Sequence, residues 1–93
     1  MKKHGDKPFS IRYYEPVIRE DIPKIDIVWQ KRIRAAINEK LAGNPIAFGL
    51  SLRQSLKGYR KLRIGDYRVA CKIIETTVFI IAIQHRSIVY KLL

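Results

Sequence analysis

The side chains best suited to chemistry lie close together near the end of the chain. His85 follows an apolar run, Arg86 is next to it, and Tyr90 lies five residues after the histidine. Imidazole is well matched to proton transfer near neutral pH, and arginine is suited to bidentate contact with phosphate. Because a histidine at the end of a strand is more often structural than catalytic, this group needs support from the rest of the sequence.

Cleavage of RNA through its own 2′-hydroxyl is a reaction that these residue types could support. It needs a base for the hydroxyl proton, cations for the charge that develops on the phosphate, and an acid for the leaving 5′-oxygen. His85 for the proton, with Arg68 and Arg86 for the phosphate, would supply much of that set. We expect neither a metal nor a cofactor, because Asp66 and Glu75 adjoin separate turns and form no carboxylate pair.

The charge of the chain predicts an anionic partner. The 93 residues carry a formal net charge of +11. Residues 1–30 hold six basic and five acidic side chains, whereas residues 31–93 hold thirteen basic and three acidic ones. Nucleic acid, an anionic membrane surface or an acidic protein would each fit. The membrane is the least favoured, because no predicted helix pairs a basic face with a large exposed apolar one.

Alternation of side chains predicts that the basic residues share one face of a sheet. Leu62 and Ile64 lie on one face together with Arg60, and we expect this face to pack on helices. The opposite face is predicted to carry four cations and one aromatic ring, namely Tyr59, Lys61, Arg63, Arg68 and Lys72. A cationic sheet with an aromatic ring is a common RNA-binding surface, although a polar sheet face is often merely solvated.

Two helices and a strand are predicted before these segments. Residues 9–14 alternate as a strand does. Pro16 is suited to the first turn of a short helix that should stop at Pro23. Asp26 is a candidate N-cap for a second helix, which Gly43 should end. The apolar stripe of this second helix includes Trp29, so we expect that ring in the core.

Three strands are predicted in the second half of the chain, after a loop at 45–58 that has room for one helical turn. They cover residues 59–64, 67–74 and 78–84, with a hairpin turn at Gly65–Asp66 and another turn at 75–77. The nearly unbroken apolar run of the last strand is typical of a central strand covered on both faces. The order β-α-α-β-β-β predicts an α+β fold in which a helical hairpin packs on an antiparallel sheet.

The length and composition set the remaining bounds. A chain of 93 residues with 47% hydrophobic residues fits one domain over residues 1–93, with residues 1–8 as a flexible tail. A single cysteine, Cys71, excludes a disulfide framework and a thiolate zinc site within the chain. No segment is apolar enough to span a bilayer and no signal peptide is recognisable, so we expect a cytoplasmic protein without a membrane partner.

Two stretches together resemble the RelE/ParE toxin superfamily of bacterial toxin–antitoxin systems. The first runs from Leu56 to Arg68, and the second, after the apolar strand, from His85 to Tyr90. Gly43-Asn44-Pro45 and the helical hairpin before it also fit, so the similarity covers roughly residues 9–92. The resemblance implies two helices over a small, curved antiparallel sheet.

For RelE-like members the resemblance implies an endoribonuclease that cleaves mRNA in the ribosomal A site by metal-independent attack of the 2′-hydroxyl. It implies the ribosome as a partner, a cognate acidic antitoxin, and operator DNA only as the toxin–antitoxin complex. By position, the catalytic set would be Lys61, Arg68, His85, Arg86 and Tyr90, and the RNA-binding set Tyr59, Arg60, Arg63 and Lys72. Arg68 and Arg86 would contact phosphate, and Tyr90 would stack on or orient the base.

Two departures leave the general base open between Lys61 and His85. His85 has no histidine counterpart in the founding RelE type, and Tyr59 stands where that type has a lysine. Two other functions also remain. A ParE-like protein would inhibit DNA gyrase and lack the RNA-cleaving set, and a non-catalytic RNA-binding module would use the basic face alone.

Overall fold

The computed structural model describes residues 9–43, 50–51 and 58–87, and for residues 50–51 it describes the backbone only. The elements are β1 (Ser10–Tyr13), α1 (Ile27–Ala36), β2 (Leu50–Ser51), β3 (Tyr59–Ile64), β4 (Tyr67–Ile74) and β5 (Thr77–His85). The predicted tail at 1–8 lies outside the described residues, and the single domain over 1–93 stays a prediction. The α+β fold class is confirmed.

The sheet has the strand order β1-β5-β4-β3-β2. β3, β4 and β5 pair antiparallel through tight turns, but β1 pairs parallel with β5, so the sheet is mixed and not wholly antiparallel. No hairpin links β1 to its neighbour, because the helices lie between β1 and the later strands. A tight turn forces the two strands that it joins to be antiparallel, and β1 is not joined to β5 in this way, so it can run parallel.

Two helical segments follow β1. A π-helical turn, Val17–Asp21, ends before Pro23, as predicted for this short helix, and a separate 3₁₀ turn, Ile22–Lys24, follows it directly. Proline is tolerated there because it stands in the first residues of the new 3₁₀ turn, where its missing N–H costs no internal bond. Asp26 is the N-cap of α1 as predicted, since its Oδ2 accepts a hydrogen bond from the Val28 N–H at 3.0 Å.

The helices cover one face of the sheet. From α1 and the π-helical turn that extends it (Ile37–Leu41), Ile33, Ile37 and Leu41 pack with Val17 against apolar side chains of β3, β4 and β5. The strand residues of this core are Leu62, Val69, Cys71, Val78, Ile80 and Ile83. Each such side chain contributes roughly 1.5–3 kcal/mol when fully buried. Trp29 is half-buried and packs against the edge of this cluster.

Three details of the strands differ from prediction. The segment 45–58 is not all loop, because Leu50–Ser51 pairs with β3. The second turn has two residues, Glu75 and Thr76, with Glu75 at a φ of 54°. β5 is an interior strand, but the described helices pack on only one of its faces, and Phe79 on the other face is half-buried. None of the helices in the described ranges is long and apolar enough to cross a membrane.

Candidate nucleic-acid interface

The sheet face turned away from the helices carries the predicted basic residues, and we call it the open face. Side chains at paired register positions point to the same side of a sheet. Tyr59 pairs with Lys72, and Arg63 pairs with Arg68. Lys61 pairs with Ala70, between those two pairs. Alternation therefore placed these five residues on a common face, and the register agrees.

The open face is positively charged without acidic side chains among its strands. β3, β4 and β5 contain no Asp or Glu. Arg63 is exposed and stands directly opposite Arg68. Like charges in opposite positions destabilise a sheet, by up to roughly 1 kcal/mol. Because arginine contacts phosphate through two N–H groups, two arginines at paired positions are suited to an anion.

An aromatic ring adds a second kind of contact at one side of the open face. The Lys72 Nζ lies 4.9 Å from the centre of the Tyr59 ring, in a cation–π arrangement. This contact holds a cation beside a ring. A ring can stack on a nucleobase, and a cation next to it can contact a phosphate of the same strand.

Arg60 does not belong to the open face. It pairs with Cys71, whose side chain is fully buried on the helix-covered face, which we call the packed face. Burial raises the pKa of the Cys71 thiol to about 11, and the nearby positive charge of Arg60 acts in the opposite direction. Arg60 follows Tyr59 and precedes Lys61 in the sequence, but it lies on the other face of the sheet. The structure therefore does not support the RNA-binding role that was predicted for Arg60.

His85 also lies on the packed face, away from Arg68. It is the last residue of β5 and pairs with Tyr67, whereas Gln84 pairs with Arg68. The His85 and Tyr67 rings meet edge to face with centroids 5.3 Å apart, and Trp29 of α1 lies 5.6 Å beyond Tyr67. The structure therefore separates the two predicted catalytic residues, His85 and Arg68, onto opposite faces.

A β-bulge in β5 causes this separation. Cys71 pairs with Ile80 but Ala70 pairs with Ala82, so Ile81 is an extra residue. Val78 and Ile80 are buried under the helices. Without the bulge, simple alternation would turn every odd-numbered residue, His85 included, to the open face. The extra residue reverses the alternation from Ala82 onward.

The hydrogen bonds of His85 define its tautomer. The Ser87 N–H donates to His85 Nδ1 at 3.2 Å, and the Ser87 Oγ lies 3.0 Å from the same nitrogen. Because Nδ1 accepts a hydrogen bond, the neutral ring carries its proton on Nε2. The lone pair that a general base would use is already engaged.

Arg86 lies in the turn after β5, beside the β3–β4 hairpin. Its N–H donates to the Asp66 carbonyl oxygen at 2.7 Å, and its Nη1 lies 3.7 Å from Asp66 Oδ1. Both side chains are about 60% exposed, so this ion pair is weak and leaves Arg86 available to a stronger anion. The hairpin itself is tightly packed, since a Cβ on Gly65 would collide with the Trp29 ring. Tyr90 lies outside the described residues.

Gln84 is a residue of this face that the sequence analysis missed. Among the described residues, its Oε1 is a buried side-chain atom without a hydrogen-bond partner. It stands beside Arg68 in the register. The sequence offers no signal for it, because unbroken alternation would place Gln84 on the packed face.

Comparisons with known proteins identify the family. The family model described as ParE toxin of type II toxin–antitoxin system, parDE, matches residues 14–90. No curated protein matches the chain significantly. Among solved structures, the RelBE2 toxin–antitoxin complex of Mycobacterium tuberculosis has a chain that matches with a TM-score of 0.76 at 27% identity. That match covers 89% of this chain and 100% of the other.

Two further structures share the fold at lower identity. The free toxin RelE of E. coli, in a doubly arginine-substituted mutant, matches with a TM-score of 0.69 at 15% identity, covering 84% of this chain and 83% of that one. The RelB–RelE complex of Methanococcus jannaschii matches with a TM-score of 0.65 at 18% identity, covering 82% and 91%. Because the family model spans most of the 93 residues, the chain belongs to the RelE/ParE superfamily and is a toxin of a type II toxin–antitoxin system.

Proposed function

We propose that this toxin is a ribosome-dependent endoribonuclease that cleaves mRNA in the A site and so inhibits translation. The observation that carries the proposal is the placement of Lys61, Arg63 and Arg68 at neighbouring positions of an open face whose strands lack acids. Such a face suits the polyanionic backbone of RNA. The protein would act in the cytoplasm, where its substrate is found.

The reaction would be attack of the ribose 2′-oxygen on the adjacent phosphorus. A base takes the 2′-hydroxyl proton, the bond from phosphorus to the 5′-oxygen breaks, and an acid returns a proton to that oxygen. Arg63 and Arg68 would stabilise the charge on the phosphate, since arginine remains protonated and contacts phosphate through two N–H groups. Arg86 would approach the same phosphate from the turn after β5.

Lys61 is the better candidate for proton transfer, and His85 the weaker one. Lys61 shares the open face with the two arginines. His85 lies on the packed face, and its Nδ1 accepts from Ser87. We assign His85 a positioning role, in which it holds the turn that carries Arg86. Tyr90, as the resemblance implies, would orient the base.

An acidic antitoxin is the proposed protein partner. The solved relatives include toxin–antitoxin complexes from a bacterium and an archaeon. An acidic chain would be attracted by the same charge that attracts RNA. Operator DNA would be bound only by the toxin–antitoxin complex.

Inhibition of DNA gyrase is the second candidate. It is favoured by the family model that matches the chain, whose description names the ParE toxin. The basic open face is compatible with either target, so an experiment must separate them.

Induced expression with mapping of RNA 5′ ends tests the proposal. We expect translation arrest and transcripts cut within reading frames, and the same cuts with purified ribosomes and mRNA. Arg68→Ala should abolish the cuts, whereas Arg34→Ala, an exposed arginine of α1, should leave them unchanged. Intact transcripts together with inhibited gyrase supercoiling would establish the second candidate. Binding to RNA without any cuts would identify a non-catalytic module.

Single substitutions separate Lys61 from His85. Removal of an acid or base group typically lowers the rate by roughly 10²–10⁴-fold. We expect a loss of this size in Lys61→Ala and a smaller loss in His85→Ala. The opposite order would assign proton transfer to His85.

A further inference from the structure

We propose that a cavity on the helical side of the sheet binds a small amphipathic anion, a free fatty acid of medium chain length. The cavity lies between β1, α1 and the helical turns that link them, and its volume is about 410 Å³. Protein interiors are closely packed, and ligand sites are concave and mostly apolar, so a cavity of this size next to the core is suited to a ligand. It is separate from the open face, and this inference does not depend on the proposed function.

The lining of the cavity is mainly aliphatic, and seven isoleucines contribute to it. Ile33, Ile37 and Ile83 are almost fully buried and form the inner end. Ile18 and Ile27 are each more than half exposed and form the mouth. The cavity therefore runs from solvent to the core. Water inside it meets few hydrogen-bonding groups, so an apolar chain that displaces this water gains affinity.

Hydrogen bonds fix the wall of the cavity that precedes α1. Gln30 Nε2 donates to the carbonyl oxygens of Ile22 and Ile25 at 3.0 and 2.8 Å. Asp21 Oδ2 accepts from the Ile83 N–H at 2.9 Å. These bonds tie the wall to α1 and to β5, and the branched isoleucine side chains have restricted rotamers. The cavity is therefore largely preformed, which lowers the entropic cost of binding.

The β-bulge at Ile81 supplies one side of the inner end. After the bulge Ile83 pairs with Val69, whose side chain is fully buried on the packed face. Unbroken alternation would turn Ile83 to the open face instead. The cavity therefore depends on the same irregularity that places His85 on the packed face.

The charged side chains that line the cavity are cationic. Lys31 and Arg34 are three residues apart on α1, and both are exposed. Tyr13 lines the cavity from β1. Burial raises the pKa of the Tyr13 phenol, and the positive charge of Arg34 acts in the opposite direction, so the guanidinium lies near the ring. These three side chains offer N–H and O–H donors to a carboxylate, and among the described residues no acidic side chain lines the cavity.

Shape and charge together favour a chain with a terminal carboxylate. A neutral hydrocarbon would make no use of the cations. A second copy of this protein, also with a net charge of +11, would be repelled. An acidic amphipathic helix of a partner protein would match the charge, but such helices lie along grooves. This cavity instead ends at buried core residues, which suits the end of a single aliphatic chain.

Calorimetric titration with hexanoate, octanoate and decanoate, below their micelle concentrations, tests the apolar part of the site. Each added pair of methylene groups should tighten binding about 10- to 15-fold. Decanoate should bind about 2- to 5-fold more tightly than decanol at low salt, and high salt should reduce this difference. An affinity that does not depend on chain length would overturn the inference.

Substitutions at two equally exposed apolar positions test the location of the site. Ile18→Asp places a negative charge at the mouth and removes apolar contact, so it should weaken decanoate binding at least about 5-fold. Val28→Asp is the matched control, because Val28 is 52% exposed, against 55% for Ile18, but does not line the cavity. It should bind as the parent does. Lys31→Gln should reduce the advantage of decanoate over decanol.

Three results would overturn this inference. Equal binding by the two aspartate variants would indicate non-specific adsorption of the fatty acid to a basic protein. Loss of the cavity effect in Lys31→Gln, with decanol weakened as much as decanoate, would show that the cations do not select the carboxylate. Absence of decanoate binding, with the cognate antitoxin bound more weakly by Ile18→Asp than by Val28→Asp, would identify the cavity as a protein interface. Circular dichroism would verify that the variants fold.

Discussion

The two faces of the sheet are built from the same strands but differ in packing and charge. Tyr67 and Arg68 are neighbours in β4, as Gln84 and His85 are in β5, yet each pair divides between the faces. The packed face joins His85 and Tyr67 to α1 through a row of rings that reaches Trp29. The open face joins Arg68 to Arg63 without an acidic side chain on β3, β4 or β5.

This difference teaches that proximity in sequence is a poor guide to a shared site within a strand. Residues one apart point to opposite sides, and an extra residue exchanges the sides. We therefore expect substitutions on the packed face to change stability and those on the open face to change function. The following predictions test that division.

The largest contrast should be between Ile80 and Arg63. Ile80 is fully buried on the packed face, so Ile80→Ala should lower the free energy of unfolding by about 2–5 kcal/mol through lost burial and a cavity. Arg63→Ala should change it by less than about 0.5 kcal/mol. Urea unfolding of both variants measures this. Equal effects would contradict the assignment of the faces.

Asp21 should contribute to the stability of the fold through a single hydrogen bond to β5. β1 ends at Tyr13, and beyond it the Ile83 N–H donates to Asp21 Oδ2 at 2.9 Å. Asp21→Ala leaves this donor without its partner, which should cost about 1–3 kcal/mol in unfolding free energy. Asp21→Asn keeps an oxygen acceptor and should recover part of the loss. If both variants are as stable as the parent, the carboxylate does not hold β5.

Substitutions of the neighbours Gln84 and His85 should differ by a smaller amount in their effect on the free energy of unfolding. His85→Ala removes the edge-to-face contact with Tyr67, so it should cost about 0.5–1.5 kcal/mol of unfolding free energy. Gln84→Ala removes an acceptor that has no partner and should be close to neutral. Thermal or urea unfolding measures both. A larger cost for Gln84→Ala would indicate that β5 lacks the bulge.

A pH dependence of stability should also arise from the packed face. Burial raises the pKa of the Cys71 thiol from its ordinary value of 9.0 to about 11. Between these values the unfolded chain loses the proton that the folded chain keeps, so stability should fall as pH rises from about 9 to 11. We expect wild type to lose more stability than Cys71→Ala between pH 8 and 10.5 in urea unfolding. An equal loss of stability in the two proteins would indicate that the Cys71 thiol is exposed to water.

Much of the fold could be predicted from local signals. The Asp26 cap, the Gly65–Asp66 hairpin and the division of β3 into Leu62 inside and Arg63 outside depend on neighbours in sequence. Such features follow from side-chain type and period. The parallel pairing of β1 could not be predicted, because no turn chemistry links it to β5.

The candidate site was predicted only in part for a similar reason. The composition of β3 and the first half of β4 was enough to place Lys61, Arg63 and Arg68 together. His85 was assigned to the site because it follows the apolar strand beside Arg86, whereas its face depends on the bulge at Ile81, which reverses the alternation of β5. The position of Gln84 beside Arg68 depends on the same bulge and had no visible signal in the sequence.

The sequence by itself therefore determined an α+β toxin of this superfamily with one basic, acid-free sheet face, because charge and period are local properties. The tertiary structure decided which residues of β5 share that face with Arg68. The physical reason is that a residue is extra in one strand only relative to the neighbouring strand. Cys71 pairs with Ile80 and Ala70 pairs with Ala82, so Ile81 has no partner in β4 and forms the bulge. That pairing places His85 on the packed face and Gln84 on the open face beside Arg68.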